Sequence, residues 1–314
     1  MTACRIARSA RTARLALLLA AGAAAAIGQP AAALPRSFVS GSGNDANACT
    51  RDLPCRSFDR AMLVTDAGGE VIALDTAGYG PMTITKSVSV ISPPGIVAAI
   101  SNGVASPLGV NAGVSVVAGP NDRVILRGLN INIQSGPTSG VAIASAGTVH
   151  IEASSIKGAT TDFGAGVYAN PSSTLRLHLR DVGIRNFGIG VWLRGDSARI
   201  DVTGDRVRVQ DTYDGVGVLR NTKAVFRDSV SSGNVATGFY LYNDSVANVS
   251  SLVLERCTAS NNGTVGVLAD PASVTNGPLA TGLVTVSNCT ITNNGTGLQS
   301  AAAGNPPLNL RAAM

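Results

Sequence analysis

Two histidines and 19 acidic residues are where this sequence could carry acid–base or metal chemistry. His150 and His178 stand in similar short runs beside Glu152, Arg176 and Arg180. A metal would need a third ligand in suitable geometry, and the arginines oppose a cation, so the pair is read as strand surface and no metal site is expected. The acids Asp201, Asp205, Asp211 and Asp214 are spread over turn-like segments, and no acid-bearing motif repeats. No glycine-rich loop follows a strand and opens a helix, so neither a nucleotide nor another cofactor is expected. Cys49 and Cys55, six residues apart in a polar segment, are expected to form a disulfide in an exported protein. Cys257 and Cys289 occupy equivalent places in two related segments and are read first as small inward-facing hydrophobes, with a bond between them as the alternative.

Export is read from the first 33 residues. Arg5, Arg8, Arg11 and Arg14 precede an apolar run of 14 residues from Leu15 to Gly28, then Ala31-Ala32-Ala33. This is the pattern of a cleaved signal peptide; the run falls short of the ~20 residues of a membrane span. No second apolar segment of spanning length follows. Removing four arginines and no acid takes the net charge from +5 to +1. No basic cluster then remains to neutralise phosphates, and nucleic acid is not an expected partner. The expected division is a signal peptide at 1–33, an N-terminal cap at 34–70, a repeat region at 71–300 and a closing tail at 301–314.

With 45% hydrophobic and 14% charged residues the chain is too apolar for disorder, and Gly, Val, Ser, Thr and Asn outweigh strong helix formers. What must position any site is a repeat. Gly-apolar pairs begin at Gly140, Gly166, Gly190, Gly215, Gly238, Gly266 and Gly297, at spacings of 26, 24, 25, 23, 28 and 31. A second column is read at Val124, Val149, Leu175, Ile200, Val225, Val253 and Val284. A third, Asp162, Asn186, Asp211, Asn234, Asn262 and Asn293, precedes the glycines by four residues and is read as turn residues stacked in a hydrogen-bonded ladder. Alternating runs such as Leu175-Arg176-Leu177-His178-Leu179 give strands with one buried face. The chain is therefore expected to be all-β, a single-stranded parallel β-helix of about eight or nine coils. A short helix at Arg56 to Thr65, with Phe58, Ala61, Met62 and Val64 inward, is expected to cover its open end.

The opening Pro54-Cys55-Arg56-Ser57-Phe58, Gly68-Gly69-Glu70-Val71, Gly78-Tyr79-Gly80-Pro81 and Ile84-Thr85-Lys86-Ser87-Val88 resembles exported bacterial right-handed parallel β-helix proteins of the pectin-lyase-like superfamily. Val284-Thr285-Val286-Ser287-Asn288-Cys289-Thr290-Ile291 is similar to its generic coils. The resemblance implies right-handed winding and a long groove on one outer face, where relatives cleave polysaccharides. Hydrolysis there requires two carboxylates ~5–10 Å apart; calcium-assisted elimination requires clustered acids and a basic residue. Alternation after the glycines turns Tyr168, Asn170, Trp192, Arg194, Tyr240 and Tyr242 outward, with Asp270 as the one acid of that stripe. Asp270-Pro271 is followed by Ala272, where alginate-epimerase-like enzymes carry histidine. The six residues named first, which include the single tryptophan, suit the apolar faces and hydroxyls of sugars. The expected function is non-catalytic binding of a polysaccharide or other extended glycan. The alternatives are a polysaccharide lyase or glycoside hydrolase of this superfamily, and a structural or adhesion solenoid that binds protein.

Overall fold

A computed structural model of the chain describes residues 34–134, 138–159, 164–243, 249–271, 282–300 and 309–313. The segment 1–33, read above as a signal peptide, and Asp162 lie outside the described residues. Among the described residues nine coils each give one strand to three sheets, and neighbouring coils pair in parallel. In one coil Leu175–Arg180 lies in sheet I, Gly183–Arg185 in sheet II and Ile189–Arg194 in sheet III. Leu34–Val39 and Asn309–Ala313 extend sheet I at its two ends, so strand pairing runs further both ways than 71–300. Val104–Ala105 folds back antiparallel on Asn111–Val117 and forms a hairpin with it. Among the described residues no helix is long and apolar enough to cross a membrane.

The glycine column sets the coil-to-coil approach in sheet III. A β-carbon on Gly140 would lie 2.6 Å from the carbonyl oxygen of Gly166; for Gly166 that oxygen belongs to Gly190, also at 2.6 Å, and for Gly190 to Gly215, at 2.7 Å. The series continues through Gly238 and Gly266 to Gly297 and begins one coil earlier, at Gly113. The same space is filled from inside by the sheet II side chains Ile156, Ile184, Val209 and Ser231. Any side chain would push one coil off the next. Behind each glycine, Val141, Val167, Val191, Val216, Phe239 and Val267 stack in register and are buried.

The second apolar column requires correction. The stacked inward row of sheet I is Val88, Val124, Val149, Leu177, Val202, Ala224, Leu252 and Val284. Leu175 and Ile200 pair with each other two residues earlier in their strands, while Val225 and Val253 point outward and are only half-buried. Period-two alternation makes a one-residue slip reverse the face of every side chain, and valine suits a strand on either face. In the neighbouring inward row Gly204 faces Phe226, whose ring occupies the space a side chain at 204 would need.

The Asn/Asp column is two columns. Asn186, Asp211 and Asn293 have left-handed backbone (φ 58°, 54° and 53°), as do Gly233 and Asn261 between them. The amide ladder runs one residue later. Thr212 donates to Asn234, Asn234 Nδ2 donates to Asn262 Oδ1 at 2.8 Å, and Asn262 Nδ2 donates to Asn294 Oδ1 at 2.8 Å. Asn293 is thus a turn residue and Asn294 the rung.

At the N-terminal end helix α1 (Phe58–Val64) buries Phe58, Ala61 and Met62 against the first coil, with Val64 half-buried. The Ser57 hydroxyl caps it by accepting from the Arg60 N–H. Burial pushes the Asp45 carboxyl pKa up, but the bonds it accepts from the Ser57 hydroxyl and from the Ser57 and Arg56 amides pull it down further and hold it below the ordinary value. Cys49 and Cys55 are bonded, with Cα atoms 4.7 Å apart.

Candidate functional site

The outer face of sheet III gathers the candidate residues. Ala142, Tyr168, Trp192, Gly217, Tyr240 and Leu268 follow one another coil by coil in strict register. Tyr168 and Trp192 stack on each other, centroids 4.7 Å apart and planes 20° from parallel. This covers Tyr168, which keeps 7% of its surface, so Tyr168 backs Trp192 and is not itself an open platform. The Arg194 guanidinium lies over the Trp192 ring at 5.3 Å and pairs with Asp196 at 2.9 Å. Asp196 also accepts from Asn170 at 3.0 Å and from Arg220 at 2.8 Å. Asn170 and Arg194 are therefore joined through an acid that sequence alternation did not mark.

Gly217 leaves the space that the Tyr240 hydroxyl occupies, so this ring lies back along the row toward Trp192. Beyond it a cleft of about 220 Å³ is lined by Asp214, Thr237, Tyr240, Tyr242, Leu268 and Asp270. Asp214 opens its strand one residue before the glycine column and accepts from the Thr237 N–H at 3.1 Å. Burial pushes its carboxyl pKa up, more than the backbone and side-chain bonds from Thr237 pull it down, and burial alone raises Asp270. Burial and the nearby Asp214 raise the Tyr240 phenol in turn. Sequence reasoning placed Asp214 among scattered turn acids; its signal was adjacency to an anchor glycine, which brings it to the corner of the sheet III face.

The histidines pair on sheet I instead. His150 and His178 are in register, with stacked rings at 4.5 Å. His178 shares a hydrogen bond with Thr203 at 2.7 Å, and Glu152 lies 3.9 Å from His150. Burial first, then mutual repulsion for His150 and the Arg123 charge for both, lower the two pKa values below 6.5. Among the described residues no three His, Cys, Asp or Glu side chains converge as metal ligands. Because the folded state declines protons that the unfolded chain accepts, stability rises with pH across the window just below 6.5. Urea midpoints should therefore fall from about pH 7.5 to pH 5, and His150→Gln/His178→Gln should flatten that slope. An unchanged slope in the double variant would remove the histidines as its source.

Cys257 and Cys289 carry free thiols in this structure, the Cys257 N–H donating to Cys289 Sγ at 3.2 Å. Burial pushes the Cys257 thiol up to about 12, which keeps it protonated and inert.

Comparisons bear on the fold. Residues 126–310 match the family described as the right handed beta helix region. A search of curated proteins gives no match. Among solved structures the chain is similar to a rhamnogalacturonan lyase at 13% identity, covering 88% of this chain and 86% of that one, with a TM-score of 0.49. A pectate lyase is similar at 14% identity, 85% and 79% coverage and a TM-score of 0.43. The periplasmic alginate epimerase AlgG is similar at 11% identity, 79% and 78% coverage and a TM-score of 0.39. Nine parallel coils among the described residues and a family match over more than half of the sequence lead to one assignment: the chain belongs to the right-handed β-helix family.

Proposed function

We propose that the outer face of sheet III binds an extended polysaccharide without cleaving it, and that the protein acts after export. The observation that carries this reading is Trp192 and Tyr240 on one outward row, two coils apart, with the Tyr240 ring lying back over Gly217 between them. Aromatic faces at such a step are platforms for successive sugar rings, and Arg194, Asn170 and the tyrosine hydroxyls supply polar contacts at the sides. The arginine-headed leader and the Cys49–Cys55 bond support export.

Trp192→Ala and Tyr240→Ala should each weaken retention in affinity electrophoresis through gels holding the bound polysaccharide by about tenfold, ~1.4 kcal/mol. Unchanged migration of both variants would take the row out of consideration. The alternative of glycoside hydrolysis draws on Asp214, which lines the cleft beside Tyr240 with its pKa raised by burial. New reducing ends released from the same polysaccharides, and lost in Asp214→Asn, would replace the binding reading with that one.

A further inference from the structure

Sheet II has a charge pattern unlike its neighbours. None of its nine strands contains an Asp or Glu, and its charged residues are Lys157, Arg185 and Arg208, all on the outer face. They stand 28 and 23 residues apart in the sequence, and the winding brings them together. Lys157 and Arg185 are in register on adjacent strands, their backbones ~4.8 Å apart. Arg208 lies on the next coil, in register with Gly183 two residues before Arg185. Like charges facing each other across two strands are unfavourable. On sheet I the equivalent neighbours are of opposite sign, with Glu152 between Arg127 and Arg180. Among the described residues none of the three sheet II cations has an ion pair, and the acids of the adjoining turns are turned elsewhere. Asp181 and Asp228 pair with Arg206 and Arg256. Asp211 leans over Gly233 of the following coil, where a β-carbon would lie 3.0 Å from its Oδ1. Beside the cations stand two exposed apolar side chains. Tyr213 and Val235, each three residues past the end of a sheet II strand, occupy the corner toward sheet III and are 51% and 55% exposed. They sit on adjacent coils, the Val235 N–H donating to the Thr212 carbonyl at 2.9 Å.

We propose that the protein lies with this face on an anionic phospholipid surface, Lys157, Arg185 and Arg208 against the phosphates and Tyr213 and Val235 in the headgroup layer. A sheet without a single acid brings no repulsion to such a surface, and lipid phosphates between Lys157 and Arg185 relieve the repulsion that the fold leaves in place. Tyrosine, with an apolar ring and a polar hydroxyl, suits the boundary between water and hydrocarbon. A neutral partner would leave the facing cations unrelieved. A nucleic acid would supply phosphates but no place for Val235, which has no ring for a base to stack on. The lipid surface satisfies both halves of the patch. This face is on a different sheet from the Trp192 row, so the assignment does not rest on glycan binding.

The test is sedimentation of the full chain with vesicles of phosphatidylglycerol and phosphatidylcholine in equal parts, and with vesicles of phosphatidylcholine alone. Residues 1–33 are the same in every variant, so comparison among variants reads this face. A Lys or Arg near such a surface contributes about fivefold to partition. The triple variant Lys157→Gln/Arg185→Gln/Arg208→Gln should therefore bind the mixed vesicles about 100-fold more weakly. That difference should vanish in about 1 M salt, where the Debye length is ~3 Å. Tyr213→Ser should weaken binding about fivefold through lost apolar contact. Ser232→Glu keeps all three cations and sets an acid in register with Gln210; it should also weaken binding about fivefold. Removing facing like charges should leave the thermal midpoint of the triple variant unchanged or higher, which separates lost binding from lost fold. Equal binding to both kinds of vesicle, or undiminished binding of the triple variant to the mixed ones, would overturn the proposal. Tighter binding of a short DNA duplex or of polygalacturonate than of the mixed vesicles at the same salt, lost in the triple variant, would overturn the lipid assignment in favour of a soluble polyanion.

Discussion

Gly190→Val is expected to destabilise the solenoid by about 3 kcal/mol or more, while Gly183→Ala in the same coil leaves it intact. A β-carbon at 190 meets the Gly215 carbonyl oxygen at 2.7 Å and runs into Val209 from the core side, so neither direction of relief is open. Backbone oxygens stacked at the coil spacing cannot rotate away as a side chain would. Gly183 opens a sheet II strand with nothing within 4 Å of a β-carbon, so alanine there meets no neighbour and removes freedom from the unfolded chain. Thermal unfolding should report a midpoint roughly 6–12 °C lower for Gly190→Val and unchanged or slightly higher for Gly183→Ala. Equal midpoints for the two would mean that close approach of the coils is not what the column enforces.

That column was legible in the sequence because nothing else can stand there, so glycine recurs despite coils of unequal length. Sheet III inherited its accuracy: counting outward from each glycine gives Tyr168, Trp192 and Tyr240 on one row, as the register has them. Sheet I was less legible. Between its inward residues the chain takes 25 residues from Val124 to Val149, 28 to Leu177, 25 to Val202 and 22 to Ala224. Turns absorb those differences without a signature, so spacing alone carried Val225 and Val253 to the wrong face.

A charge pattern was hidden by the same slip. Arg127, Glu152, Arg180, Asp205, Arg227 and Glu255 stand in register at the ends of six successive sheet I strands, alternating in sign. Each exposed pair contributes at most about 1 kcal/mol, but a slip of one coil would set like charges against each other, so the row specifies register more than it adds stability. The site was legible in its aromatic half only. Asp196 and Asp214 sit at strand ends, where alternation no longer says which way a side chain points.

The second large effect concerns the amide ladder, where two adjacent columns were first read as one. Asn262 is buried, and its side chain makes four hydrogen bonds. It accepts from Asn234 Nδ2 at 2.8 Å and from the Asn234 N–H at 3.3 Å, and donates to Asn294 Oδ1 at 2.8 Å and to the Ser231 carbonyl at 3.2 Å. Asn262→Ala leaves these partners without water to replace the amide, at about 1–3 kcal/mol for each group left unsatisfied. With Asn234 Nδ2 still held by Ser231 Oγ, the net loss should be about 3 kcal/mol. Asn293 is exposed and held at φ 53°, so Asn293→Ala should cost only the ~1 kcal/mol of left-handed backbone, and Asn293→Gly should restore it. Urea denaturation of the three variants separates the two roles. If Asn293→Ala lowers the midpoint as much as Asn262→Ala does, and glycine at 293 fails to recover it, then Asn293 bears on its neighbours through its side chain and the division into a turn column and a ladder column is wrong.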